Sequence, residues 1–368
     1  MTPLPYGRQS IDDDDIEAVV RALRSGWLTT GPAVDEFEQA IAAFTGASYA
    51  VAFANGTAAL HAAMFALHIG PGDEVIVPPM TFAATANCVV YQGGTPVFAD
   101  VLPDTLLLDP ARVLEKITSR TRAIIAVDYA GQPCDYNALR SLAHAHGLAL
   151  VADACHSLGA SYQRRNVGTL ADLSAFSFHP VKPITTCEGG LVTTANPEYA
   201  RRLRLFRNHG ISSDHRQRAA AGTWFYEMTD LGYNYRLSDV QCALGASQLR
   251  KLPRWLTRRR EIARQYNEAF AATDHIRPLS VRPEVRHAYH LYVVRVASNR
   301  DPIITALRDQ GIMANVHYIP VHLHPYYQRQ VGLCPVAEEA YHHIVSLPIF
   351  PAMTEADVSR VTTAISCL

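Results

Sequence analysis

No phosphate-binding loop of the form G-x-x-x-x-G-K-[ST] occurs in this chain, nor a G-x-G-x-x-G after an apolar strand, a G-x-S-x-G turn or an H-E-x-x-H pair. Their absence removes the usual marks of nucleotide hydrolysis, dinucleotide redox chemistry, serine hydrolysis and zinc proteolysis. A basic excess is missing too. The 33 Lys and Arg stand against 34 Asp and Glu, so no nucleic-acid surface is marked and no nucleic-acid partner is expected. The seven cysteines form no C-x-x-C pair and are odd in number, which suits a reducing compartment rather than a disulfide framework. No apolar run reaches the roughly 18 residues of a membrane helix, and the opening MTPLPYGRQSIDDDD has no basic segment followed by an apolar one. A soluble, cytoplasmic protein without membrane association is therefore expected. The 16 histidines are plentiful, but His317, His322 and His324 have no acidic or cysteine partner at metal-ligand spacing, so no metal site is expected.

What is present is an ordinary globular composition, 48% hydrophobic over 368 residues, enough for one large and one smaller domain. Ser10 followed by Asp12 to Asp15 reads as a serine-capped helix start, with early carboxylates complementing the positive helix end. From there, short β-rich runs (YAVAFA, DEVIVPP, TPVFADV, RAIIAVDY, LALVADA) alternate with segments of helical spacing. That alternation predicts an α/β fold with a mostly parallel sheet. A long helix from about Ser238 to Phe270, the strand HLYVVRV, the helix DPIITALRDQG and a final helix from Thr354 predict a smaller C-terminal α+β domain. The division is placed at 1–250 and 251–368, within the long helix.

The segment AFSFHPVKPITTCEGGLVTT holds one lysine, Lys182, between Pro180 and Pro183. An ammonium in a rigid, uncharged loop loses solvation, which favours the neutral amine and makes it a nucleophile able to form a Schiff base. The apolar run LALVADA ends at Asp153, and ligands gather outside the carboxyl ends of strands in α/β sheets. Alone, Asp153 reads equally as a helix cap and Lys182 as a surface lysine in a Pro-rich turn. Together they suit pyridoxal phosphate, whose pyridinium nitrogen needs a carboxylate beside it. Asn55-Gly56-Thr57-Ala58, a strand-to-helix junction, offers free N–H groups, a hydroxyl and close backbone approach for a phosphate. Ser177 adds a second hydroxyl, and Phe82 a flat ring for the cofactor's face, although an isolated aromatic is commonly core.

In order and spacing, GWLTTGPAVDEFE, NGTAAL, PPMTFAATAN, VADACHSLGA, SFHPVKPITTCEGG, RNHGI, GYNYRLSDVQCALG and HYIPVHLHPYY resemble the DegT/DnrJ/StrS sugar-nucleotide aminotransferases, of fold type I among the pyridoxal-phosphate enzymes. The resemblance covers nearly the whole chain. It implies that Lys182 carries the Schiff base and that Asp153 partners the pyridinium. It places His156 at the cofactor's phenolic oxygen, Thr57, Ala58 and Ser177 at its phosphate, and Phe82 on its ring. It also implies that Asn234 reaches the phosphate across a subunit interface, hence a homodimer with shared active sites. A dehydratase branch of the family has histidine in place of the lysine; Lys182 is retained here, which favours transamination.

SFHPVKPITTCEGG most resembles the branch that aminates a UDP-linked 4-keto-6-deoxy-N-acetylhexosamine on the route to pseudaminic acid, with Cys187 standing where that loop is expected to carry alanine or glycine. The resemblance implies the UDP-4-keto sugar and L-glutamate as substrates. Arg207, Arg236 and the stretch from His287 to His290 are candidates to meet the diphosphate. Thr30, His179, His317, Tyr318 and His322 are further substrate candidates, each with a structural reading as a hydrogen-bonded framework residue. Two alternatives stand beside this one: a transaminase for a dTDP- or GDP-linked 4-keto sugar, such as a perosamine-type substrate, and a catalytically silent pyridoxal-phosphate protein used in regulation or assembly.

Overall fold

The computed structural model describes residues 3–368. Its centre is a seven-stranded sheet whose strands lie in the spatial order Tyr49–Phe53, Gly190–Thr194, Leu173–Ser177, Ala149–Asp153, Thr121–Val127, Glu74–Val77, Thr95–Phe98. Six strands run the same way, and Gly190–Thr194 is reversed, antiparallel to both neighbours. The α/β class with a mostly parallel sheet is thus the observed one. The reversed strand follows from its connection: the loop 178–189 contains no helix to carry the chain back to the opposite edge, as a parallel crossover requires.

Helices cover the sheet, so its central strands are buried along nearly their whole length, with Arg122 the exposed exception near the start of Thr121–Val127. The helix Gly56–Ala66 is apolar on nearly every side because it is enclosed. It packs on strands Leu173–Ser177 and Gly190–Thr194 and on helices Ala84–Tyr91 and Pro197–Arg207. A second core lies around the antiparallel strands Ile276–Pro278, Tyr292–Val296 and Ile344–Leu347. The helix Asp239–Phe270 serves both cores: Cys242, Leu249, Leu252 and Leu256 belong to the first, and Ile262, Ala263, Tyr266 and Phe270 to the second. Among the described residues no helix is long and apolar enough to cross a membrane.

The first helix, Asp13–Arg24, is capped by Asp12 rather than by Ser10. The Asp12 carboxylate accepts the Asp15 N–H while the Asp15 carboxylate accepts the Asp12 N–H, a reciprocal box that a serine three residues upstream of the helix cannot reach. Ser10 instead offers its carbonyl to Gln248. Before that helix the chain crosses the molecule. Leu4–Pro5 pairs with Ile312–Met313, and the Tyr6 carbonyl accepts from Ile349 N–H at 3.0 Å, which carries the Tyr6 side chain to the edge of the main cleft.

Beneath the sheet edge, fully buried Asp128 accepts from Ser157 Oγ at 2.6 Å, Tyr136 Oη at 2.8 Å and the Cys134 N–H at 3.0 Å. Burial outweighs these bonds and pushes its carboxyl up to about 7. A raised folded-state value means that the native chain holds a proton the unfolded chain has released, so stability falls as pH rises from about 4 to about 7. Asp128→Asn lacks that loss. Its melting temperature relative to wild type is expected to climb across this window, by an amount corresponding to roughly 1–4 kcal/mol at ~1.4 kcal/mol per pH unit. A difference that stays flat from pH 4.5 to 7.5 in a thermal scan would refute it.

Candidate active site

A cleft of about 830 Å³ opens at the carboxyl edge of the sheet. Asp153 is the last residue of its strand, in register with Val127 and Ala175, so its side chain emerges at that edge. It is 6% exposed. Its Oδ2 accepts from Thr85 Oγ1 at 2.6 Å, Thr85 in turn pairs with Thr81 Oγ1 at 2.7 Å, and Oδ1 accepts the Cys155 N–H at 3.2 Å. The carboxylate is thus held by the Thr85 hydroxyl on the helix Ala84–Tyr91, which is itself braced by the Thr81 hydroxyl on the turn before that helix.

Facing it is the start of the helix Gly56–Ala66. Asn55 caps this helix, its Oδ1 accepting the Ala58 N–H at 2.8 Å. That leaves the N–H groups of Gly56 and Thr57, which have no carbonyl one turn back to bond to. The backbone closes here to a degree only glycine permits. A Cβ on Gly56 would stand 2.8 Å from Ser177 Cβ, and one on Gly190 would stand 2.2 Å from the Asn55 carbonyl oxygen. The Ser177 hydroxyl is thereby brought beside the free end of the helix, making a seat for an anion.

Lys182 lies in the loop 178–189, where its N–H donates to the His179 carbonyl at 2.9 Å in a tight turn. The residue is partly buried. Desolvation of the ammonium lowers its pKa from the ordinary lysine value, against the opposing pull of Cys155 and Asp153 nearby. Three buried histidines, His156, His290 and His317, line the same cleft. His156 shares a hydrogen bond of 3.1 Å between Nε2 and Tyr318 Oη, while its Nδ1 is buried without a partner. Burial, with Lys182 and His317 close by, drives its pKa well down. His317 Nδ1 bonds Ser346 Oγ at 2.9 Å, and burial followed by Lys182 lowers it to about 3. Burial thus favours the neutral form of each of these imidazoles. Phe82 is 61% exposed at the mouth, 6.1 Å from the Tyr318 ring, a flat apolar surface left open over the cleft.

Of the residues singled out in the sequence, Thr57, Ala58, Phe82, Asp153, His156, Ser177, His179, Lys182, His317 and Tyr318 line this one cleft. Others do not. Asn234 is exposed and outside the lining, while its neighbour Tyr235 points inward. Thr30, Arg207 and Arg236 line a separate hollow of about 380 Å³. Arg207 is committed to buried Glu38 and to the Ala52 carbonyl, and Arg236 donates to Asn208 Oδ1. His322 is fully buried against Glu338 at 2.9 Å. Tyr6, Thr85, Cys155 and Tyr235 contribute to the cleft or its floor without having been singled out. Thr81 and Thr85, four apart in TFAATAN, carry a readable helical signal; Tyr6 carries none.

Pyridoxal phosphate asks for a seat for its phosphate, a carboxylate for its ring nitrogen, an amine for its aldehyde and a flat wall. The glycine-closed helix start with Ser177, the buried Asp153, the desolvated Lys182 and the open Phe82 match that set, and the unpartnered His156 Nδ1 leaves a polar group to spare.

Comparison with known proteins is in accord. The sequence profile of the DegT/DnrJ/EryC1/StrS aminotransferase family matches residues 9–366. The chain is 42% identical over 373 aligned positions to the spore coat polysaccharide biosynthesis protein SpsC of Bacillus subtilis, covering 98% of this chain and 96% of that protein. Among solved structures, Spr1654 of Streptococcus pneumoniae in its PLP form superposes with a TM-score of 0.92 at 32% identity, covering 99% and 98% of the two chains. PseC of Helicobacter pylori, an aminotransferase involved in pseudoaminic acid biosynthesis, gives 0.92 at 33% identity over 99% and 98%.

Proposed function

The chain belongs to the DegT/DnrJ/EryC1/StrS aminotransferase family, and on that premise we propose that it moves the amino group of L-glutamate to C4 of a UDP-linked 4-keto-6-deoxy-N-acetylhexosamine, as a UDP-4-amino-4,6-dideoxy-N-acetyl-β-L-altrosamine transaminase. The observation that carries the transaminase part is the meeting of Lys182, Asp153 and the open end of the Asn55-capped helix in one cleft. The sugar assignment is supported by the HPVKPITTCEGG segment and by likeness to PseC.

When bound, pyridoxal phosphate supplies the carbonyl at which amines are exchanged and the ring into which negative charge spreads. The N–H groups of Gly56 and Thr57, with the Thr57 and Ser177 hydroxyls and the Ala58 turn, would hold its phosphate. Phe82 would cover one face of the ring and His156 would meet its phenolic oxygen. Asp153, oriented by the Thr85 hydroxyl, would set its carboxylate at the ring nitrogen and keep a proton there. The Lys182 amine would hold the cofactor and, once displaced by the donor, take the proton from the donor's α-carbon and return one in the next step. For the sugar ketone the same groups act in reverse order, so donor and acceptor occupy the cleft in turn, a ping-pong scheme. His179, His317 and Tyr318 would bound the acceptor.

A homodimer is part of this reading. It is supported by the exposed apolar run Trp224, Phe225, Met228, Leu231 leading to Asn234, an unusual amount of large apolar surface to leave in water. Asn234 would then complete the partner's phosphate seat.

The test of substrate uses UDP-, dTDP- and GDP-linked 4-keto-6-deoxy sugars side by side with L-glutamate, with products followed by mass spectrometry. The UDP-linked N-acetyl sugar is expected to be aminated fastest. Preferential amination of the dTDP or GDP substrate would overturn the sugar assignment, and amination of none would overturn the enzymatic reading.

A further inference from the structure

Among the described residues that line the cleft there is no arginine, and Lys182 is the only lysine. An α-amino acid donor nevertheless brings a carboxylate one carbon from the amine that reacts at Lys182, and a buried carboxylate needs donors. His290 lines the cleft, is 5% exposed, and its imidazole makes no hydrogen bond within the protein. Its Nδ1 is sealed without a partner. Nε2 is not among the sealed unpartnered atoms, and the tautomer with its proton there leaves no N–H buried without an acceptor. The ring lies 4.3 Å from that of His156. Burial, with His156, Lys182 and Arg259 close by, lowers its pKa and favours the neutral form, which has one N–H to donate.

The segment carrying His290 is held with care. Ala288 N–H donates to the Gly131 carbonyl at 3.0 Å and Leu291 N–H to the Ala130 carbonyl at 3.1 Å. From behind, Arg259 donates through Nη1 to the carbonyls of Tyr289 at 3.0 Å, His290 at 3.4 Å and Ile349 at 2.9 Å. Arg259 is 2% exposed and has no carboxylate partner among the described residues, so a positive charge stands uncompensated behind the His290 peptide. Such a charge is costly to bury and favours an anion in front of it.

We propose that His290 is a substrate-binding residue of the donor half-reaction: its Nε2–H donates to the α-carboxylate of the amino donor, with Arg259 positioning the segment and supplying positive potential. The inference rests on the transaminase reading of the cleft. The experiment compares wild-type holoenzyme with His290→Gln and His290→Phe, the latter keeping the ring's shape without its N–H. Rapid mixing with L-glutamate follows loss of the absorption band of the lysine-linked cofactor, and mixing of the amine form with 2-oxoglutarate follows the return. Loss of a hydrogen bond to a charged group is expected to weaken both ligands by about tenfold or more in His290→Phe. The affinity of the apoprotein for pyridoxal phosphate, measured by absorbance titration, and its melting temperature are expected to stay near wild type. Unchanged glutamate affinity in both variants would overturn the proposal, as would a loss of cofactor affinity as large as the loss for glutamate. A folding defect confined to the phenylalanine variant leaves His290→Gln to decide. If wild type shows no lysine-linked band, the transaminase reading falls and this proposal with it; if wild type converts glutamate and the variants bind it equally, only this proposal falls.

Discussion

Lys182→Ala is expected to lower turnover by about four orders of magnitude or more while leaving the protein folded. The lysine combines two functions in the proposed scheme, covalent attachment and proton transfer at the donor's α-carbon, and general acid–base transfer by itself contributes typically ~10²–10⁴-fold. Its removal should not destabilise the fold. The ammonium is desolvated, with its pKa lowered by burial, so alanine relieves a cost rather than breaking a support. The measurement pairs a single-turnover assay with a melting curve and an absorption spectrum. Normal turnover together with a retained lysine-linked band would remove Lys182 from the mechanism. Collapse of the melting temperature would instead make it a framework residue.

Asp153→Asn comes next in size, with an expected loss of about 10²–10³-fold in turnover at little change in stability. The isosteric amide fits because the Thr81–Thr85 hydroxyl pair can reverse: Thr85 Oγ1, which now donates to Asp153, can accept from the amide and donate to Thr81, since either hydroxyl of that 2.7 Å pair can be the donor. The other carboxyl oxygen keeps its bond from the Cys155 N–H. What the variant loses is the negative charge that the proposed scheme assigns to the cofactor's ring nitrogen. Steady-state kinetics with L-glutamate against a matched melting curve separates the two effects. Wild-type turnover in a folded Asp153→Asn protein would show that the charge is not used.

Much of this site is legible in the sequence because its parts are locally written. Asp153 ends an apolar run, Asn55-Gly56 opens a helix directly from a strand, and Lys182 sits alone between prolines; each is a signal within a few residues. The parts that escaped depend on distant chain segments. Thr85 meets Asp153 across 68 residues, and Tyr6 reaches the cleft only because Leu4–Pro5 pairs with Ile312–Met313. Arg207 looks in sequence like a free cation for a diphosphate, yet the structure spends it on Glu38, 169 residues away, which has its own buried oxygen bonded to the Ala52 N–H. The same distance rule explains the fold. Strand and helix alternation is local and legible, whereas the direction of Gly190–Thr194 depends on where the next turn of chain is able to go.

That reversed strand also gives the site an order of assembly. Leu173–Ser177 and Gly190–Thr194 form a hairpin, closed by the short loop that carries Lys182. Loop-closure entropy rises with the length of chain enclosed, so this hairpin is the least expensive long strand pairing in the sheet, while the Thr85–Asp153 contact opposite it must close a far longer loop. Contacts of short sequence separation form faster. During refolding the loop that carries Lys182 is therefore in place early and waits for its floor, and recovery of cofactor binding should trail the return of β-sheet circular dichroism.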